Sequence, residues 1–124
     1  MRTITLMLRG LVLAVVVATF AVACSASPAA PVDAADATVV DVRTPAEYAE
    51  GHLEGAVNLD LQSGSFATAI ADLPLDGSYV VYCRSGNRSA QAVALMREAG
   101  FASVVDAGGL DSAAKRTGLP IVTG

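Results

Sequence analysis

Short apolar runs rich in β-branched residues alternate with segments of helical periodicity from residue 38 onwards. The apolar runs, which we interpret as strands, are residues 38–42, 57–59, 79–82 and 103–106. The segments that we interpret as helices are residues 45–50, 65–73, 89–99 and 111–116. Strands that alternate with helices are typical of α/β domains, in which right-handed crossovers connect parallel strands. The pattern therefore predicts one α/β domain built on a mostly parallel, twisted sheet.

Local signals support two of the predicted helices. Thr44, Pro45 and Glu47 have the spacing of an N-cap, a first helical residue and a capping-box partner, and Gly51 is a suitable C-terminal stop. The segment 89–99 is apolar over most of its circumference. Such a helix must pack against a broad surface, as a sheet provides.

Charged and reactive side chains fall at the ends of the predicted strands. Asp41, Arg43, Cys83 and Asp106 all follow or close an apolar run. In parallel α/β sheets, functional sites lie at the carboxyl ends of the strands, so we expect these residues near one another. The pair Gly108-Gly109 predicts a turn after the last of these strands.

The N-terminal segment has the pattern of a secretory signal. Arg2 and Arg9 form a positive head, and residues 11–22 are apolar apart from one threonine. The uninterrupted stretch 10–23 would reach about 21 Å as a helix at about 1.5 Å per residue, against a hydrocarbon core of about 30 Å. The stretch is too short to span a membrane comfortably.

The sequence Ala21-Val22-Ala23-Cys24 resembles the lipobox of bacterial lipoproteins. This resemblance implies cleavage before Cys24, lipidation of that cysteine and anchoring of the mature protein outside the cytoplasm. Simple secretion with cleavage nearby is the alternative.

These observations divide the chain into three parts. Residues 1–23 are the expected lipoprotein-type signal peptide, residues 24–37 a flexible tether rich in Ala, Ser and Pro, and residues 38–124 the folded domain. Cleavage would remove two of the eight basic residues and none of the twelve acidic ones, so the formal charge would fall from −4 to −6. A domain of this charge has no electrostatic footprint for nucleic acid.

Cys83 is the candidate nucleophile. Most free cysteines are small buried side chains, but residues 84–88 are all polar or glycine. Their N–H groups would form an anion-binding nest, and the helix that starts near Ser89 would add its positive end. Arg84 and Arg88 bring two full positive charges, which together with the nest favour a thiolate.

The spacing between Cys83 and Arg88 narrows the chemistry. Four residues separate them, whereas phosphotyrosine-type phosphatases and arsenate-handling enzymes have one residue more and a loop wide enough for a tetrahedral oxyanion. The shorter loop suits a single sulfur atom.

Four segments of the chain resemble the rhodanese family of sulfurtransferases. They are DVRTPAEY at 41–48, GHLEGAVNL at 51–59, CRSGNR at 83–88 and GGL at 108–110. The resemblance implies a single rhodanese-like domain, with helices on both faces of the sheet. It also implies that the Cys83 thiolate takes a sulfur atom from a small donor such as thiosulfate. The resulting persulfide would pass that sulfur to cyanide or a thiol, which includes the thiol of a protein partner.

The resemblance also assigns the supporting residues. Cys83 would be catalytic, and the residues implied to bind substrate are Arg84, Ser85, Gly86, Asn87 and Arg88. Arg88 has the alternative role of holding the loop in shape. Asp41 and Arg43 would support the site, either by orienting the donor or the loop or as a fold-stabilising ion pair at the strand end. His52, the sole histidine, falls where the family has a structural turn, and we do not assign it as a base. No cofactor or metal is implied.

Other functions are compatible with an intact loop. The domain could be a non-catalytic persulfide carrier or interaction module, a cysteine-dependent phosphatase or arsenate reductase, or a redox-sensing thiol.

Two departures from the family concern stability. The first strand of many relatives is absent or replaced by a degenerate piece near residues 31–35, and Ala113 stands where relatives often have Trp, which predicts looser packing.

Overall fold

The computed structural model describes residues 29–124 and contains a four-stranded sheet covered by helices. The helices and strands, in chain order, are β1 Thr38–Asp41, α1 Pro45–Glu50, β2 His52–Leu53, β3 Val57–Asn58, α2 Phe66–Ala71, β4 Ser78–Cys83, α3 Asn87–Glu98, β5 Ser103–Gly109, α4 Leu110–Thr117 and β6 Ile121–Val122, with a 3₁₀ turn at Leu61–Ser63.

The main sheet is entirely parallel. Its strand order is β3-β1-β4-β5, and β2 and β6 form a separate antiparallel pair. Each connection between parallel strands passes over a face of the sheet, as parallel pairing requires. The prediction of an α/β fold with a mostly parallel sheet is confirmed.

Alternate residues of β4 divide the core into two layers. Tyr79, Val81 and Cys83 belong to a cluster that includes side chains of α2 and α3. Val80 and Tyr82 belong to a second cluster with side chains of α1 and α4. Successive side chains of a strand point to opposite faces, so both faces of the sheet are buried under helices, as predicted.

The capping box of α1 forms as expected. The Glu47 N–H donates to Thr44 Oγ1 at 3.3 Å, and the Thr44 N–H donates to Glu47 Oε2 at 3.0 Å. Pro45 is the first helical residue, and α1 ends at Glu50 before Gly51. The caps therefore satisfy backbone groups at both ends of this short helix.

Three helices have bounds that differ from the predicted ones. α2 is shorter, α4 is one residue longer at each end, and α3 begins at Asn87 rather than near Ser89. The earlier start occurs because Gly86 adopts a left-handed φ of 105° and serves as the N-cap residue. Arg88 therefore lies in the first turn of a helix instead of in a loop.

The prediction of a turn at Gly108 and Gly109 is wrong, because both residues belong to β5. The strand pairs with β4 as far as Cys83 and Gly109, with Ala107 as an extra, bulged residue. Gly108 has a left-handed φ of 80°, and its N–H donates to Asp106 Oδ1 at 2.9 Å. Asp106 thus stabilises the bulge and does not lie at the strand end as expected.

The part of the predicted tether that the structure describes is not a free linker. The Val32 N–H donates to the Arg116 carbonyl at 2.8 Å, and Arg116 Nε donates to the Ala30 carbonyl at 2.9 Å. The apolar side chains of Val32 and Ala34 pack on the second core cluster. The folded region therefore begins before residue 38, and within the described residues no strand precedes β1.

The predicted signal peptide, Cys24 and the residues up to 28 lie outside the described part of the chain. None of the helices between residues 29 and 124 combines the length and hydrophobicity that crossing a membrane requires.

Ala113, which stands where relatives often have Trp, is fully buried in the second cluster.

Candidate active site

Cys83 is the last residue of β4, in the middle of the main sheet. Its side chain is buried, with 0% exposure, between the carboxyl ends of β1 and β5. The three residues 84–86 then connect the strand directly to α3. Such a short connection brings the helix N-terminus close to the sulfur.

Backbone and hydroxyl groups surround the sulfur. The Gly86 N–H donates to Cys83 Sγ at 2.9 Å, and Ser89 Oγ lies 3.5 Å from Sγ. Burial raises the pKa of the Cys83 thiol, but hydrogen bonds from the Ser89 hydroxyl and from the N–H groups of Ser89, Gly86 and Ser85 outweigh it. The net result is a lowered pKa, which favours the thiolate that a nucleophile requires.

Two glycines allow the loop its tight path. The φ of 105° at Gly86 is rarely adopted by other residues. A Cβ atom on Gly109 would lie 2.5 Å from the Arg84 carbonyl oxygen, which is closer than atoms approach. Gly109, the second residue of the pair that the sequence marks as a turn, is therefore required because β5 passes directly beneath the loop backbone.

Arg88 pairs with Glu47 in a bidentate ion pair. Its Nη1 lies 2.7 Å from Glu47 Oε2 and its Nη2 lies 2.8 Å from Oε1. The hydrogen bonds from Arg88 and from Thr44, together with the charge of Arg88, lower the pKa of Glu47 to about 2 although burial opposes the shift. The pair ties the first turn of α3 to α1, which corresponds to the loop-holding alternative for Arg88.

Asp41 and Arg43 form a buried ion pair beside the loop. Arg43 Nη2 lies 2.7 Å from Asp41 Oδ2, and the same nitrogen donates to the Gly51 carbonyl. The Asn58 side chain donates to the carbonyls of Asp41 and Arg43 at 3.1 and 2.8 Å. The Arg43 guanidinium also lies over the Tyr82 ring, 5.7 Å from its centroid. These contacts hold the carboxyl end of β1 next to that of β4.

Arg84 has no ion-pair partner within residues 29–124 and is exposed. It lines a cleft of about 380 Å³, together with Arg43, Glu47, Glu50, Asp111 and apolar side chains of α4 and β6. Cys83 does not line this cleft. Arg84 is thus the positive group of the loop that remains available to an anion from solvent.

The remaining predicted residues occupy peripheral positions. Ser85 and Asn87 are exposed, Ser85 in the loop and Asn87 at the start of α3. His52 is buried, its ring stacks on Tyr48 at 3.7 Å, and its Nδ1 lies 2.8 Å from the Tyr48 carbonyl oxygen. This arrangement matches the structural role expected of that histidine.

Three residues of the site were not predicted in their roles. The sequence indicates Glu47 only as a capping-box residue, and it indicates neither Asn58 nor Ser89 as part of the site. The first turn of a helix after a short loop is a signal that could have found Ser89, because its side chain points back towards the preceding strand. Within residues 29–124 no group of three potential ligands is arranged to hold a metal ion.

Comparisons with known proteins agree with this geometry. The sequence model of the Rhodanese-like domain matches residues 28–114. A sulfurtransferase of Allochromatium vinosum is 40% identical over 90 residues, which are 73% of this chain and 82% of that protein. The thiosulfate sulfurtransferase PspE of Escherichia coli is 38% identical over 87 residues, or 68% of this chain and 78% of that protein.

Solved structures are similar over most of their length. A solved structure of a rhodanese with anions from E. coli aligns with a TM-score of 0.58 and 34% identity, covering 70% of this chain and 98% of that one. A rhodanese-like domain from Anabaena aligns with a TM-score of 0.61 and 30% identity, covering 69% of this chain and 98% of that one.

The substitution Glu47→Gln should lower stability at neutral pH. Because the folded pKa of Glu47 is about 2 and its ordinary value is 4.5, its stabilisation is complete above pH 4.5 and is lost as the pH falls towards 2. A shift of this size corresponds to about 3 kcal/mol, and partial exposure reduces it to an expected 1–2 kcal/mol, on the order-of-magnitude scale. Urea unfolding from pH 7 to pH 2 measures the effect.

Glu50→Gln, an exposed position on the same helix, is the matched control and should leave the free energy of unfolding nearly unchanged. If Glu47→Gln is as stable as the wild type at pH 7 and shows the same loss in acid, the ion pair with Arg88 does not stabilise the fold.

Proposed function

Because the chain belongs to the rhodanese family and is a sulfurtransferase, we propose that it transfers sulfane sulfur from a donor such as thiosulfate to a thiophilic acceptor through a persulfide on Cys83. The observation that supports this proposal most directly is the Gly86 N–H, 2.9 Å from Sγ at the N-terminus of α3. Fixed donors at that position stabilise a negative sulfur.

The first half-reaction loads the cysteine. The Cys83 thiolate attacks the outer sulfur of thiosulfate, a new S–S bond forms, and the original S–S bond breaks with its electron pair leaving on sulfite. The loop amides stabilise the anionic sulfur, and Arg84, which has no ion-pair partner among residues 29–124, attracts the dianionic donor. Gly86 provides the closest amide, while Ser85 and Asn87 shape the outer rim of the loop. Arg88 contributes by fixing α3 through Glu47.

The second half-reaction removes the transferred sulfur from Cys83. The acceptor, cyanide or a thiolate, attacks the outer sulfur of the persulfide, and the S–S bond breaks so that Cys83 leaves as a thiolate. A thiol acceptor first loses its proton to solvent. The enzyme returns to its starting state after each transfer, which gives ping-pong kinetics.

We further propose that the protein acts outside the cytoplasm, anchored through lipidated Cys24. The supporting features are the basic, apolar and small-residue pattern before Cys24 and the lipobox-like sequence. Five residues, 25–29, separate Cys24 from Ala30, whose carbonyl accepts a hydrogen bond from Arg116 of α4. Cys24 therefore lies at most about 22 Å from Ala30, at about 3.6 Å per residue. An anchor this near would hold the domain close to the membrane rather than on a long tether.

Replacement of Cys83 by Ser should abolish catalysis. Steady-state formation of thiocyanate from thiosulfate and cyanide by the purified wild-type protein is the measurement, and the variant should show no turnover because serine forms no persulfide. Circular dichroism checks that the variant is folded. A wild-type protein that takes up one sulfur atom without turnover would instead be a persulfide carrier, which contradicts the proposed enzyme.

Replacement of Arg84 by Ala should raise the KM for thiosulfate about tenfold at low ionic strength, with a smaller change in kcat, because an exposed charge acts mainly on the encounter with the anion. Added salt should narrow the difference, since the Debye length is about 10 Å at 0.1 M.

Lys115→Ala removes the same charge from the far end of α4 and is the matched control. If both variants change KM equally, Arg84 does not bind the donor, and only the net charge of the domain matters.

Replacement of Cys24 by Ala should abolish acylation of the protein and so remove its lipid anchor. In a bacterial host that processes lipoproteins, the wild-type chain should partition into detergent and carry acyl mass at Cys24, because lipidation requires that thiol. The variant should stay in the aqueous phase or retain its signal peptide. A wild-type chain found without acyl mass would rule out the anchor and leave the sulfur chemistry unaffected.

A further inference from the structure

Ser89 is a fully buried hydroxyl, and its side-chain hydrogen-bond partners among residues 29–124 are Cys83 and Gly86 of the active-site loop. Its side chain has 0% exposure, and it is the third residue of α3. Ser89 Oγ lies 3.5 Å from Cys83 Sγ and 3.0 Å from the Gly86 carbonyl oxygen. Neither the family resemblance nor the sequence of the loop assigned a function to this residue.

The two contacts imply different proton positions for the two states of the sulfur. A serine hydroxyl has one proton to donate and lone pairs that accept. When Cys83 is a thiol, its S–H donates to Ser89 Oγ and the Ser89 hydroxyl donates to the Gly86 carbonyl. When Cys83 is a thiolate, the sulfur only accepts, and rotation about the Cβ–Oγ bond directs the Ser89 proton to it.

The Gly86 carbonyl does not oppose this rotation. It also accepts the N–H of Ala90 at 3.2 Å, as part of the first turn of α3. The carbonyl therefore keeps a partner when the Ser89 hydroxyl turns away, and no buried polar group is left unsatisfied.

We propose that Ser89 is a catalytic residue that turns its hydroxyl from the Gly86 carbonyl to Cys83 Sγ whenever that sulfur is an anion, and so stabilises the thiolate both as nucleophile and as leaving group. This inference rests on the proposed sulfur transfer. In the persulfide the charge is on the outer sulfur and Sγ is a neutral bridging atom, so the hydroxyl returns to the Gly86 carbonyl between the two half-reactions.

The proposal predicts different effects of Ser89 on the two half-reactions. A thiolate that is stabilised by a hydrogen bond is more abundant at low pH than an unstabilised one, but it is intrinsically less nucleophilic. It is also the better leaving group when the persulfide S–S bond breaks. In Ser89→Ala, loading by thiosulfate should therefore be about threefold slower below the pKa of Cys83 and equal or faster above it. Discharge to cyanide should be about threefold slower than in the wild type at every pH, because Cys83 is then the leaving group.

The other charged groups around the sulfur are common to all variants. They are the Arg88–Glu47 pair from α3 and α1, the Asp41–Arg43 pair at the end of β1 and the exposed Arg84. A difference in pH profile between the wild type and Ser89→Ala therefore reports the missing hydroxyl.

Single-turnover measurements test the proposal. Wild type, Ser89→Ala, Ser89→Thr and the distant, exposed Ser103→Ala are loaded with thiosulfate across a pH series and followed by intact mass. Preloaded protein is then mixed with cyanide, and thiocyanate is measured. We expect the loading rates of the wild type and Ser89→Ala, plotted against pH, to cross, and the discharge of Ser89→Ala to be slower at every pH. Ser89→Thr should restore the wild-type rates, and Ser103→Ala should not change them. Equal losses in both half-reactions at all pH values, or no change, would overturn the proposal.

Alkylation of Cys83 by iodoacetamide across the same pH series distinguishes this inference from the proposed function. If the wild type forms no persulfide, sulfur transfer is refuted. Ser89 is still tested, because its loss should move the alkylation midpoint to higher pH. An unchanged midpoint in folded Ser89→Ala would refute the hydrogen bond itself.

Discussion

A negative charge on a buried sulfur atom is the constraint around which the site is built. An anion removed from water is unstable unless fixed donors replace the solvent. The Gly86 N–H at 2.9 Å and the start of α3 provide them, and only a very short loop brings these groups to the end of β4. That loop in turn needs a left-handed glycine at Gly86 and the absence of a side chain at Gly109.

The ion pairs around the loop mainly hold the loop and the neighbouring elements in position, and they leave little charge for attracting a substrate. Arg88 and Glu47 connect α3 to α1, and Asp41 and Arg43 fix the end of β1. Buried and half-buried pairs of this kind specify positions of elements, because breaking one leaves an unpaired charge. Arg84 has no ion-pair partner in the part of the chain that the structure describes. Under the proposed mechanism it attracts the anionic donor, while Arg88 holds the loop in shape.

Features encoded by adjacent residues were predictable from the sequence. The capping box of α1, the apolar run of β4 and the polar loop after it depend on local spacing and propensity. Contacts between residues far apart in the sequence were not predictable, because no local pattern marks them. The ion pair of Arg88 with Glu47, for example, joins residues that are 41 positions apart. Residue 109 must be glycine because a Cβ atom there would clash with the carbonyl of Arg84, in the loop that follows β4. In the sequence, however, Gly109 resembles a glycine of a turn. Ser89 was counted with an apolar helix, although the early start of α3 places its hydroxyl beside the sulfur.

The intact mass of the reduced, folded protein after incubation with thiosulfate is the most direct test of a persulfide on Cys83. The account predicts that the wild type gains one sulfur atom, that cyanide removes it with formation of thiocyanate, and that Cys83→Ser gains none. A wild-type protein that is fully reduced beforehand and still gains no sulfur would contradict the account.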